Sequence, residues 1–121
     1  MNSQGAARLV ALLMHSRDQA HVYHLMTRSY AQHKALGKYY EKITELFDDY
    51  AEAYMGKYGR LRSVNVNKRF AKDPRKARMY FKSLLARVYA LRSLSKDSYL
   101  RNIYDEIVAL IRSTLYMLSL R

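Results

Sequence analysis

The sequence has no cysteine and no tryptophan, and only one proline and four glycines in 121 residues. Without cysteine there is no disulfide, no thiolate metal site and no cysteine nucleophile, which favours a cytoplasmic location. Residues that break helices are scarce, and apolar residues and tyrosine make up 50% of the chain. We therefore predict a single all-α domain over residues 1–121.

Long apolar runs are also missing. The apolar stretch at residues 6–14 is interrupted by Arg8 and is far shorter than the ~20 residues of a membrane-spanning helix. It has no basic segment before it, as a signal peptide would. We expect no contact with a membrane. No glycine-rich phosphate loop, H-E-x-x-H motif or arrangement of nucleophile and base indicates a hydrolase or a kinase.

Acidic residues are almost absent from residues 57–96. This third of the chain holds 13 of the 22 lysines and arginines and only one acid, Asp73, so the net charge of +12 is concentrated in it. Such segregated charge is typical of proteins that bind DNA or another polyanion, and no pattern for reading bases accompanies it. The residues predicted to contact phosphates are Lys57, Arg60, Arg62, Lys68, Arg69, Lys72, Arg75, Lys76 and Arg78. A merely soluble basic surface is the alternative.

Periodicity predicts four amphipathic helices of ~20 to 26 residues, over residues 4–28, 30–55, 74–94 and about 96–118. Ser29 and Gln32 have the spacing of a capping box before the second helix, and Gly56 is its expected end. Asp73 precedes a proline and should begin the third helix. Ser95 or Asp97 should begin the fourth. On the first helix the apolar stripe includes His21, His24 and Leu25, so both histidines are expected to face inward.

Four helices of this length predict a four-helix bundle. The first and third links are short, which makes those helix pairs antiparallel. The basic link at residues 56–72 can extend to roughly 55 Å, longer than a 26-residue helix of roughly 39 Å. It can therefore cross the bundle from end to end, as ferritin-like folds require, although a disordered lobe would have the same length.

Three of the four histidines, His21, His24 and His33, lie within 13 residues of one another. On the second helix, Asp48 and Glu52 fall roughly 110° and 150° from the apolar stripe at 100° per residue. Carboxylates on that flank can meet imidazoles only across a seam with another helix or another subunit. The alternative is that the histidines bond to tyrosine hydroxyls at the edge of the core while the acids form a solvated face.

Residues 21–59 resemble the first helical hairpin of the Dps family, the DNA-binding proteins from starved cells, within the ferritin-like superfamily. The resemblance rests on a histidine followed by a second at +12, and on Asp and Glu at +15 and +19 from the second. His21, His33, Asp48 and Glu52 reproduce these intervals, and Leu36 completes the shared H-x-x-L. The last helix has a weaker likeness, and some tailed phages encode small proteins of this kind.

The resemblance implies a hollow dodecamer that oxidises ferrous iron at sites shared between subunits, with histidines from one subunit and the later Asp and Glu from the other. The chain departs from the pattern at Gly37, where the family has a metal-binding Asp, and His24 competes with His21 for one position. It is also shorter than its Dps counterparts and lacks their basic N-terminal tail. The expected iron site thus has fewer ligands than that of the family and retains only residual ferroxidase activity.

These observations predict a Dps-like, ferritin-like four-helix bundle that forms a homo-oligomer and binds DNA without sequence specificity. A phage-type basic helical protein without metal chemistry is the second hypothesis. Such a protein would bind and inhibit an acidic host protein, or form part of a virion. Charge alone does not separate DNA from an acidic protein surface.

Overall fold

The computed structural model describes residues 3–120, which form four α-helices joined by short turns and one longer segment. The helices are α1 (Ser3–Met26), α2 (Tyr30–Tyr58), α3 (Ala77–Tyr89) and α4 (Ser98–Leu118). Short 3-10 turns, Pro74–Lys76 and Arg92–Leu94, flank α3. No strand occurs in the described part, so the all-α prediction and the four helices are confirmed. None of these helices is both long and apolar enough to cross a membrane.

Helix α2 begins as predicted and ends later. The Ser29 hydroxyl accepts the Gln32 amide hydrogen at 3.2 Å, but the Gln32 side chain does not return to Ser29. Its oxygen accepts from the Thr27 hydroxyl, and its amide nitrogen donates to the Pro74 carbonyl at 3.1 Å. The predicted stop at Gly56 is wrong, because the helix continues to Gly59, whose φ of 91° favours glycine.

Helix α3 is shorter than predicted. Asp73 does begin the segment, since its carboxylate accepts the Arg75 amide hydrogen at 3.0 Å. The α-helix nevertheless ends at Tyr89. The Val88 carbonyl accepts the Tyr104 hydroxyl at 2.9 Å and the Leu91 amide at 3.0 Å. The chain therefore tightens into 3-10 geometry there, where a continuous α-helix had been expected.

Contacts at the two ends of the bundle give the direction of each helix. Helices α1 and α2 form an antiparallel hairpin, and Pro74 lies against Gln32 at the hairpin end. Leu94 packs beside Gly5 at the opposite end. Helix α3 therefore runs in the same direction as α2, and α4 runs back again. Residues 59–73, the connecting segment, lead from the C-terminal end of α2 to its N-terminal end.

The core contains several buried tyrosines, and three of them, Tyr39, Tyr50 and Tyr104, have a hydrogen-bond partner for the hydroxyl. Tyr39 bonds to the Ser16 hydroxyl at 2.7 Å, and Tyr50 bonds to that of Ser95 at 2.8 Å. Burial raises the pKa of Tyr39 well above its ordinary value, so the ring remains neutral. No buried side-chain nitrogen or oxygen in residues 3–120 lacks a hydrogen-bond partner. The tyrosines thus fill the core without leaving polar groups unsatisfied.

Helix α1 is covered on two sides. Its core face is centred on Leu9, Leu13 and Ala20, all with 0% exposure. His15 and Gln19 lie roughly 90° to 130° around the helix from that face at 100° per residue, yet they are only 9% and 2% exposed. The connecting segment buries them through hydrogen bonds to both side chains.

Candidate functional site

His24 and His33 form a reciprocal pair where α1 turns into α2. The His24 Nδ1 donates to the His33 carbonyl at 2.8 Å, and the His33 Nδ1 donates to the His24 carbonyl at 2.9 Å. The two rings stack with centroids 3.7 Å apart and planes 18° from parallel. The His24 carbonyl lies in the last turn of α1, where the helix itself supplies no donor. Both imidazoles therefore close the hairpin.

His21 does not face inward, so that part of the sequence prediction is wrong. Its side chain is exposed, and its ring stacks on Tyr40 with centroids 4.3 Å apart. Leu25, expected on the same stripe, is 68% exposed. Tyr23 occupies the inward position with 1% exposure. The apolar stripe predicted from the sequence is therefore rotated relative to the true core face of α1. His21 lies roughly 110° from that face at 100° per residue.

Gly37 has a packing role next to this histidine pair. A Cβ at this position would lie 3.1 Å from Cε1 and 3.2 Å from Nδ1 of His24. His24 is held by its hydrogen bond and by the ring of His33, so it has little freedom to move away. Any side chain at this position, a carboxylate included, would crowd the imidazole of His24.

Asp48 and Glu52 lie far from the histidines of their own chain. Both are exposed on α2, and neither takes part in an ion pair within residues 3–120. Their positions are roughly 22 Å and 28 Å along the helix from His33 at 1.5 Å per residue. No group of three or more metal-ligating side chains occurs in the described part. One copy of residues 3–120 therefore does not bring the predicted iron ligands together.

His15, the histidine outside the sequence cluster, anchors the connecting segment. Its Nε2 donates to the Arg69 carbonyl at 2.8 Å, and its Nδ1 bonds to the Tyr80 hydroxyl at 2.9 Å. The ring stacks on Phe70, with centroids 4.8 Å apart and planes 10° from parallel. The carbonyl can only accept, which places a hydrogen on Nε2. His15 thus ties together α1, the connecting segment and α3.

Gln19, one turn further along α1, adds two bonds to the same segment. Its side-chain nitrogen donates to the Ala71 carbonyl at 2.7 Å, and its oxygen accepts the Ala71 amide hydrogen at 2.8 Å. Sequence reasoning missed this anchor. The available signal was that His15 and Gln19, at i and i+4, continue the side of the helix that carries Ala11 and Leu12.

All nine residues predicted to contact phosphates are exposed. Two of them are paired with acids. The Lys57 Nζ lies 2.6 Å from Asp97, and Arg75 holds Asp73 at 2.9 Å. The Lys57 ammonium lowers the pKa of Asp97, and Arg75 likewise lowers that of Asp73. The remaining residues form no ion pair within residues 3–120: Arg60, Arg62, Lys68, Arg69, Lys72, Lys76 and Arg78.

Asp97 occupies the N-cap position of α4, but its carboxylate makes no capping bond. It accepts instead from Lys57 and from the Tyr58 hydroxyl at the end of α2. The alternative start at Ser95 is wrong, because Ser95 is buried against Tyr50 and lies before the helix. Lys57 thus has a structural role in joining α2 to α4.

Comparison with known proteins gives one match. The sequence model of a protein family described as a family of unknown function, DUF5856, matches residues 24–118. No curated protein and no solved structure matches the chain. The matched range begins at His24 and includes the histidine pair, the connecting segment, α3 and α4.

Proposed function

We propose that the chain, which belongs to this family of unknown function, DUF5856, is a Dps-like protein that binds DNA without sequence specificity. The observation that carries the proposal is the fixed position of the connecting segment. Three hydrogen bonds from His15 and Gln19 hold its backbone along α1. The lysines and arginines on it remain exposed.

Fixing the segment before binding favours contact with a polyanion. A free loop would lose conformational entropy on binding, whereas an anchored one has already lost most of it. The segment leads from Gly59 to Pro74, which lies beside Gln32. Those two ends of α2 are roughly 39 Å apart at 1.5 Å per residue. Duplex DNA of that length carries about 23 phosphates at one per 1.7 Å.

The chemistry of the surface favours phosphate contacts over base reading. Lysine and arginine neutralise phosphates and release counterions, which gives affinity independent of sequence. The connecting segment has no helix that could enter a major groove as a reading element. We therefore expect similar affinity for duplexes of unrelated sequence.

A salt titration tests this function. We compare K68Q/R69Q/K72Q, all on the connecting segment, with K34Q/K38Q/K42Q on the exposed side of α2. Both variants lose three positive charges. We expect the first to reduce the slope of log K against log [salt] by up to about 2.7, at about 0.9 per phosphate contact, and the second to leave it unchanged. No binding at low salt, or equal loss in both variants, would contradict the proposal.

The ferritin-like assignment is part of the proposal. Its support is the order of helix directions, in which α2 and α3 run the same way and one long connection joins them. Ferritin-like bundles have one such crossover. The short α3, with 13 residues, is a departure from four helices of equal length.

Iron binding between copies is the second candidate function. Its support is the exposure of His21, Asp48 and Glu52 and the absence of an ion-pair partner for either acid within residues 3–120. Imidazole and carboxylate together suit Fe(II). A neighbouring copy would have to bring the two acids of one chain to the histidines of another.

Oxygen uptake after addition of ferrous iron tests this candidate, with light scattering to measure the assembly. The variant is Asp48→Asn and the matched control is Asp49→Asn, the adjacent exposed acid. We expect uptake by an oligomer, reduced in the first variant and retained in the second. A monomeric protein with no uptake would rule the candidate out.

An acidic protein is the alternative partner for the same basic surface. It would form a stoichiometric complex that survives nuclease treatment. Such a complex, found together with no affinity for purified DNA, would replace the DNA-binding proposal.

A further inference from the structure

A trough lies where the connecting segment passes α1 and α3. It consists of two adjoining cavities of about 600 Å³ and 320 Å³, which share Arg8, Ala11 and Asn65 in their walls. Both volumes fall within the range of roughly 300 to 1,000 Å³ that is typical of small-molecule sites. The trough therefore has room for a ligand larger than an ion.

The packing of α1 explains why this space exists. Ala7 and Ala11 lie one turn apart and carry the smallest side chains of the wall. Residues 69–71 are held against the following turns of the same helix by His15 and Gln19. On the N-terminal side of that anchor, the segment passes Ala7 and Ala11. Because alanine side chains are short, the space between the segment and α1 stays open there.

Three arginines line the trough, Arg8, Arg62 and Arg87. No acidic residue lines either cavity, and none of the three arginines forms an ion pair within residues 3–120. The charge of Arg87 also acts on Tyr80, where it opposes the increase in pKa caused by burial.

The wall of the smaller cavity combines apolar side chains with amide groups. Leu12, Ala90 and Leu91 contribute apolar surface, and Asn65 and Asn67 contribute the amides. The Asn67 oxygen accepts the Arg69 amide hydrogen at 2.9 Å, which leaves its two N–H groups to donate to a ligand. Such a surface suits a planar heterocycle with hydrogen-bonding edges.

We propose that the trough binds a nucleotide, with the phosphate between Arg8 and Arg62 and the base against the apolar surface of Leu12 and Leu91. Arginine presents two parallel donors that match two phosphate oxygens. The inference rests on the proposed function only in naming a nucleotide as the ligand. A free nucleotide and the 5′-phosphorylated end of a DNA strand present the same chemistry to the trough.

Calorimetric titration of the full chain with a nucleoside 5′-monophosphate tests the inference. Inorganic phosphate and the unphosphorylated nucleoside are the comparison ligands, and we expect both to bind more weakly than the nucleotide. Arg8→Gln should weaken nucleotide binding about 10-fold to 100-fold, as expected for loss of a charge-assisted bond. The matched control is Lys82→Gln, which removes one charge from α3 roughly 140° around the helix from Arg87 at 100° per residue.

A second variant fills the trough without changing its charge. Ala11→Leu adds a side chain that lies between both cavities, and we expect at least a 10-fold loss of nucleotide affinity. Thermal melting checks that each variant folds. If Ala11→Leu does not fold, Arg8→Gln remains as the test, because Arg8 is exposed. Absence of nucleotide binding by wild type, or equal weakening by Arg8→Gln and Lys82→Gln, would overturn the inference.

Short oligonucleotides with and without a 5′-phosphate identify the source of the ligand. Competition by the phosphorylated strand alone assigns the trough to strand ends, and competition by neither assigns it to free nucleotides. The salt slope on duplex DNA should be the same for Ala11→Leu as for wild type. Loss of nucleotide binding with normal duplex binding would therefore separate this site from the DNA-binding surface.

Discussion

His24 and His33 each donate a ring hydrogen to the backbone carbonyl of the other, at 2.8 Å and 2.9 Å, while their rings stack 3.7 Å apart. The donors on Nδ1 leave the Nε2 of each ring as an acceptor. One histidine is near the end of α1 and the other near the start of α2, so the pair fixes the angle at which the hairpin closes. Histidines that resemble metal ligands in sequence thus have a structural task of their own.

Substitution of Gly37 tests how firmly His24 is held. Alanine in a helix gains about 1 kcal/mol over glycine, but at Gly37 its Cβ would press on the imidazole. Gly56 is the matched control, since a Cβ there meets nothing within 4 Å. We expect Gly56→Ala to raise the melting temperature by roughly 4 °C. The unfolding free energy of Gly37→Ala should be lower than that of Gly56→Ala by at least about 1 kcal/mol. Equal melting temperatures for the two variants would contradict a fixed His24.

Removal of the His15 ring should release the connecting segment. In His15→Ala the Arg69 carbonyl and the Tyr80 hydroxyl lose their partner, at a cost of about 1 to 3 kcal/mol. Limited digestion with trypsin measures the release, because Lys68, Arg69 and Lys72 are cleavage sites on the segment. We expect cleavage there to become faster, whereas the control His21→Ala, at an exposed position, should behave as wild type.

The Asp97 carboxylate should make stability depend on acid pH. Its bonds to Lys57 and Tyr58 hold its folded pKa below the ordinary value of 3.8. The ionised carboxylate therefore stabilises the fold above pH 3.8, and this contribution is lost as the pH falls through the pKa that Asp97 has in the folded state. Denaturant unfolding should therefore show wild type as more stable than Asp97→Asn at neutral pH. The difference should shrink below pH 3.8, and a constant difference would exclude this linkage.

Phe81 tests the packing between α2 and α3. It is fully buried, and its ring meets that of Tyr39 at 80° with centroids 4.8 Å apart. Phe81→Ala should cost about 3 to 5 kcal/mol of unfolding free energy. Met79, two residues away and 68% exposed, provides the control, for which we expect a change within about 0.5 kcal/mol. Similar losses in both variants would argue against this core.

Sequence periodicity predicted the elements well where one face of a helix meets the core. On α2 and α4 a single apolar stripe at helical spacing faces the core, and Leu36, Ile43 and Ile107 on these stripes are fully buried. On α1 the prediction failed for His21 and Leu25, because two covered faces leave no clear polar side from which to set the phase. The end of α3 also escaped prediction, since it depends on the Tyr104 hydroxyl, which comes from another helix.

The candidate sites show the same division. Exposure of the basic residues followed from composition alone, because nine charges of one sign do not enter a core. The hydrogen bond between His15 and Tyr80 joins residues 65 positions apart in the sequence. A contact over such a separation cannot be predicted from a local sequence pattern. The proposed iron site would need a second copy of the chain, so a single sequence gives the spacing of its candidate ligands and does not show whether they meet.

The hydrogen bonds that anchor the connecting segment all go to its main-chain atoms. His15 and Gln19 contact the carbonyl of Arg69 and the amide and carbonyl of Ala71, and none of these atoms depends on which side chain the residue carries. The path of the segment is therefore independent of its charge. Lysines and arginines could be exchanged for other residues along it, in evolution or by design, and the altered surface would be displayed on an unchanged backbone.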